Sequence, residues 1–182
     1  MSTISRPRTA LPAGTWNVDA VHSRVGFAVD YLVGTFHGTF SPFQGALEVA
    51  DDGSARLTGS APVTGVRVQD ENLAAHLQSP DFFDAERSPE IRFVSTRIQP
   101  TDEGLVVDGE LSIKGTTLPV QLRGSVGEPA EDPFGNVRLR LELETVVDRT
   151  AFGLRWNNPL PSGKPALADA VTLSAELSLV RA

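Results

Sequence analysis

The sequence predicts an all-β fold of about eight antiparallel strands closed into a barrel, with a short helix packed at one side or mouth, and three observations carry that expectation. Apolar residues recur at every second position along most of the chain, as strands with one dry face require. Sixteen Gly and thirteen Pro are spread along the sequence, which suits many short strands and turns. Only residues 72–84, NLAAHLQSPDFFD, space their apolar residues as a helix does. Interior glycines and long strands favour closure, although two packed sheets satisfy the same alternation, and a ring of eight strands has room for one small ligand.

Residues 1–13 are polar, carry Pro7 and Pro12 and show no period, so they read as a flexible tail before a single domain spanning 14–182. Trp16 and Val18, then Val25, Phe27, Val29 and Tyr31, share one parity and predict two strands. The run GTFHGTFSPFQGALEV sets Phe36 and Phe40 on one face, closes with Leu47 and Val49, and bends at its glycines. Asp52-Gly53 is a hairpin signal, and a parity change after Leu57, Gly59, Ala61 and Val63 predicts a bulge at Thr64-Gly65. In the helical segment Leu73 and Leu77 lie one turn apart, Asp70 or Asn72 caps the start and Pro80 stops it. Phe82 and Phe83, set between Asp81 and Asp84, cannot both face water cheaply, so the segment reads as a lid anchored by at least one ring.

Beyond the lid, Ile91, Phe93, Ser95 and Arg97 alternate with Arg92, Val94, Thr96 and Ile98. Leu105 to Ile113 forms the next alternating run, Lys114-Gly115 a tight turn, and Leu118, Val120 and Leu122 another strand. An exposed loop over 128–133 precedes two clear one-sided strands, Val137, Leu139, Leu141, Leu143 and then Val171, Leu173, Ala175, Leu177, Leu179.

Composition removes several function classes. A net charge of −7 with no Lys/Arg cluster argues against nucleic acid and anionic membrane surfaces. The absence of cysteine removes thiol nucleophiles, thiolate metal sites and disulfides together. The opening MSTISRPRTALPAG lacks the apolar run of a signal peptide, and no stretch reaches the ~20 apolar residues of a membrane span, so a cytoplasmic protein without stable membrane insertion is expected.

Little catalytic chemistry is visible. His22, His37 and His76 lack metal-ligand spacing, no serine sits in a nucleophile elbow, and Gly163-Lys164 is followed by Pro165 where a phosphate loop needs Ser or Thr. Asp81 and Asp84 read as solvated turn residues. No metal and no cofactor is predicted. Residues 148–157, DRTAFGLRWN, leave a strand with two arginines and two large aromatics. They form either a strand end with an aromatic anchor or a barrel mouth where Arg149 or Arg155 meets an anionic head group.

The ordered motifs TWNVDAVHSRVGFAVDYL, GTFHGTFSPFQGALEV, NLAAHLQSPDFFD with PEIRFVST, GELSIKGTTLPVQL, VVDRTAFGL and LADAVTLSAELSLV resemble the YceI-like, polyisoprenoid-binding family from about Thr15 to Val180. The resemblance implies a lipocalin-like antiparallel barrel with a helix folded against it, an interior that holds an isoprenoid or other long-tail lipid, frequent homodimers and no established catalysis. Two positions depart from the family pattern: Tyr31 stands where members usually carry His, and Ala74-Ala75 where they carry an Arg-Asp pair.

The combined expectation is a non-catalytic protein that carries or sequesters a polyprenyl diphosphate, a prenyl quinone, a fatty amide or a similar amphiphile. Phe27, Val29, Tyr31, Phe36, Phe40, Phe82, Phe83 and Phe93 are the candidate tail lining, and His76, Arg149, Arg155 and Trp156 the candidate head-group or mouth residues. A structural module with a filled interior, or an enzyme acting on a prenyl substrate through His76, Asp81 or Asp84, are the alternatives.

Overall fold

The structure, a computed structural model, describes residues 10–182. The expected flexible tail therefore falls largely outside the described residues. Its last part is held, because Trp16 Nε1 donates to the Pro12 carbonyl at 3.0 Å and Arg181 Nη2 to that of Ala13 at 2.9 Å.

In chain order the strands are β1 (Gly14–Val18), β2 (Arg24–Tyr31), β3 (Gly34–Phe40), β4 (Gln44–Val49), β5 (Ala55–Pro62) and β6 (Val66–Arg67). Helix α1 (Glu71–Gln78) follows, then β7 (Glu90–Thr101), β8 (Gly104–Ile113), β9 (Thr116–Val126), β10 (Ala130–Glu131), β11 (Val137–Asp148) and β12 (Leu167–Arg181). Every pairing is antiparallel, and the order β11-β9-β8-β7-β5-β4-β1-β12 closes through β11 against β12. This is a closed, lipocalin-like, eight-stranded antiparallel barrel with one short helix.

Two of its staves are bent. A one-turn 3-10 helix, Ala20–His22, separates β1 from β2, yet both pair with β12, β1 at Leu179 to Arg181 and β2 from Leu167 to Glu176. Likewise β3 pairs with β2, and β4 pairs with β1 and β5. On its far side β3 finds a strand partner only at Thr39 and Phe40, against β6. The helical segment closes that side, with the Phe83 ring 6.4 Å from Phe27 and 5.7 Å from Phe40.

Two local readings are corrected. Val63–Gly65 is a 3-10 turn rather than a bulge, and it lets the chain leave β5 for β6. The irregularity lies instead in β7, where pairing with β8 shifts between Ser95 and Arg97. That shift reverses the parity, so Ile98 packs inward although simple alternation sends it out. In α1 the Asp70 side chain accepts from the Leu73 N–H at 3.0 Å, and the Ser79 N–H donates to the His76 carbonyl at 3.0 Å, so both ends are capped before Pro80.

Candidate functional site

Side chains inside the barrel fall into two clusters. At one end Trp16, Leu47, Val107, Leu139, Leu141 and Leu179 are sealed from solvent and fill the ring. At the other end the inward residues include eight phenylalanines among aliphatic side chains, and a cavity of about 480 Å³ remains among them. The difference begins in the strands. Phe27 lies across from Gly38 in the β2–β3 pair, and a Cβ on Gly38 would collide with the Phe27 ring. Gly109 gives the Phe93 ring the same room. Each ring packs over a glycine of the wall, in the space a Cβ would take.

Most of the residues chosen from the sequence lie on the wall, among many others. Phe27, Val29, Tyr31, Phe36, Phe40, Phe82, Phe83 and Phe93 all border the cavity, as do His76, Arg149 and Trp156, whereas Arg155 is exposed and not part of the wall. Sequence reasoning missed Phe43, Ile91, Leu111, Ile113, Leu154 and Leu173, which also border it. Their parity places most of them inside, but nothing in alternation distinguishes a wall residue from a core residue. Among the described residues, no carboxylate and no lysine lines the cavity.

The lid is held from several directions. Leu77, Phe82 and Phe83 are buried, each contributing roughly 1.5–3 kcal/mol against exposure. His76 stands edge-on to Phe82 at 4.9 Å and to Trp156 at 5.1 Å, and its Nε2 lies 2.9 Å from Asp81 Oδ2. Lys114, at the β8–β9 turn with φ 51°, donates from Nζ to the Pro80 carbonyl at 2.6 Å and the Gly153 carbonyl at 3.3 Å. It ties the lid to the opposite rim, a role that its turn position did not suggest. Asp81 is exposed as expected, but Asp84 is buried at φ 53°, correcting the reading of both as solvated. Its backbone is enclosed by the turn, whose Arg87 and Ser88 N–H groups donate to the Asp84 carbonyl.

Arg149 requires a larger correction. It is 5% exposed, and its guanidinium donates to the carbonyls of Ala168, Leu154, Trp156 and Leu167 at 2.7, 2.7, 2.8 and 3.3 Å, with Asp169 Oδ1 at 3.5 Å. With its donors turned to backbone, it does not present a free fork to an anionic head. Burial pushes its pKa down while Asp169 and Asp148 push it up. Its work is to pin the segment after β11 onto the start of β12, helped by Asn157, which exchanges two hydrogen bonds with Leu167. Arg155, exposed and off the cavity wall, offers no substitute.

The fold and this site define a class, an antiparallel β-barrel with one packed end and one lidded, apolar, hollow end. The chain belongs to the YceI-like family, whose domain matches residues 16–179. A UPF0312 protein of Photorhabdus laumondii is 28% identical over 142 residues, 76% of this chain and 74% of the relative. Among solved structures, Burkholderia cenocepacia BcnA superposes with a TM-score of 0.74 at 21% identity, over 88% of this chain and 98% of its own. A polyisoprenoid binding domain from Saccharophagus degradans, implicated in plant cell wall breakdown, superposes with a TM-score of 0.60 at 11% identity, over 92% and 98% of the two chains. At these identities the structural neighbours speak for the fold alone. Among the described residues no helix is long and apolar enough to cross a membrane, and no three His, Cys, Asp or Glu side chains gather as a metal site.

Proposed function

We propose that the protein binds and carries a lipid by burying a long apolar tail, of the isoprenoid class, in the hollow end of the barrel, with no covalent chemistry. The observation that carries this reading is the cavity itself, about 480 Å³ walled by aromatic and aliphatic side chains. A filled interior does not fit it. Burying roughly ten methylene equivalents at ~0.8 kcal/mol each supplies about 8 kcal/mol, comparable with the ~4–15 kcal/mol lost on association. Short tails therefore bind weakly. The name of the Saccharophagus degradans neighbour supports the tail class.

The head group follows from Arg149 and Arg155. One is engaged with backbone and the other lies off the wall, and the net charge is −7, so among the described residues no arginine or lysine offers a free charge to a diphosphate at the cavity. A neutral head, an alcohol, quinone ring or amide, suits the site. Native mass spectrometry of gently purified protein tests the reading through a co-purified neutral lipid, and geranylgeraniol should bind more tightly than its diphosphate. Tighter, salt-sensitive binding of the diphosphate would reverse the head-group assignment.

A second reading rests on His76, which borders the cavity with Asp81 at hydrogen-bond distance and so resembles an acid-base pair beside a substrate. Incubation of geranylgeranyl diphosphate with the protein decides it: a product absent from His76→Gln supports catalysis, and unchanged substrate ends it.

A further inference from the structure

We propose that the seam between β9 and β11 is the passage through which the apolar tail reaches the interior. This rests on the reading of the cavity as a tail site. The two strands pair only from Leu141 with Val126 to Glu144 with Arg123. Beyond that point β9 continues to Thr116 and β11 to Asp148, each still paired on its other side, β9 with β8 and β11 with β12. The barrel wall is therefore unzipped for four residues of β11, all at the hollow end. Pro119 lies in the unzipped part of β9 and has no N–H to offer across it.

A groove of about 400 Å³ occupies this seam on the outer side. Val120, Val147 and Phe152 border both the groove and the inner cavity and so stand between the two. Val146 is 62% exposed at the outer edge. The lid offers the harder route. Opening it exposes Leu77, Phe82 and Phe83 together and breaks the Lys114–Pro80 hydrogen bond, whereas opening the seam needs rotation of Val120, Val147 and the buried Phe152 and breaks no strand pairing. A flexible tail can thread between two strands end-on, and an apolar chain needs no hydrogen bonds on the way.

The chain has no cysteine, so single substitutions give unique labelling sites. Val146→Cys, coupled after folding to a bulky maleimide, covers the seam, and Glu71→Cys, exposed at the start of α1 and labelled identically, covers the lid. Uptake of geranylgeraniol is followed by stopped-flow tryptophan fluorescence, since Trp156 borders the cavity. The label at Val146 should slow uptake and release at least tenfold and leave the Kd unchanged, with little effect from the label at Glu71. Unchanged rates with the Val146 label, or slowing only with the Glu71 label, would overturn the passage while leaving the tail site standing. No binding of geranylgeraniol by the unlabelled protein would overturn both.

Discussion

The two ends of the barrel are drawn from the same strands, yet one is a sealed core and the other a lined cavity. At the packed end leucines with Trp16 meet at the axis, and the strand pairing lapses only where β5 and β7 part beyond Thr58 and Val94. At the hollow end two seams interrupt it, one beside β3 covered by α1 and its following turn, the other between β9 and β11. Branched aliphatic chains fill a ring from all sides, whereas phenylalanines lying over glycines coat its wall and leave the centre open. Stability is thus concentrated where the cavity is not.

The largest effect expected from this division is in stability. Trp16→Ala removes a ring with no solvent exposure, a hydrogen bond to Pro12 and the Arg181 guanidinium stacked 4.8 Å above it, and should cost about 3–5 kcal/mol in chemical denaturation. Phe36→Ala, on a half-buried ring at the hollow end, should cost under about 2 kcal/mol. Equal losses would erase the distinction between the ends.

Next is Arg149→Lys, which keeps the charge but not the fork. If the guanidinium serves the backbone rather than a ligand, the change should cost roughly 2–3 kcal/mol of stability and weaken diphosphate and alcohol binding alike. A selective loss of diphosphate binding in a protein of undiminished stability would return Arg149 to the head-group role.

Gly38→Ala sharpens the comparison from the cavity side. The added Cβ displaces the Phe27 ring into the lumen, and affinity for geranylgeraniol should fall about tenfold, ~1.4 kcal/mol, with little change in stability. The same substitution leaving affinity untouched would show that the glycine does not keep the lumen open.

The smallest effect lies outside the packed end, where Arg138 bridges Asp19 at 2.9 Å and Asp132 at 2.7 Å. Arg138 first, then His22, lowers Asp19 from its usual 3.8 to about 2. A carboxylate lowered by folding stabilises the protein above its unfolded pKa, and that contribution fades as pH falls from about 4 toward 2. Arg138→Gln should raise the Asp19 pKa measured by NMR and slightly lower stability at neutral pH, without touching lipid binding. An Asp19 pKa that stays near 2 would remove Arg138 as the cause.

Much of the fold was legible because one-sided alternation survives in β8, β11 and β12, where most inward positions are apolar, Thr145 being an exception. It failed at Ser95 to Arg97, because a bulge leaves no residue signature when polar residues flank it. The aromatic wall was legible for the same reason as the core, namely parity. Its hollowness was not, since it depends on cross-strand partners such as Phe27 with Gly38 that are known only once the register is set. Arg149 was misjudged because an arginine leaving a strand among aromatics looks alike whether its partners are a ligand or the carbonyls of a loop that folds back eighteen residues later. The β9–β11 seam was invisible, because both strands alternate normally through it and only the partner is missing.

The central claim is that the hollow end holds an apolar tail by burying it. Its most direct test is the affinity of the protein for geraniol, farnesol and geranylgeraniol measured under one condition. The account predicts a Kd that falls steeply with each added isoprene unit until the lumen is filled. A Kd that does not change along the series would contradict it.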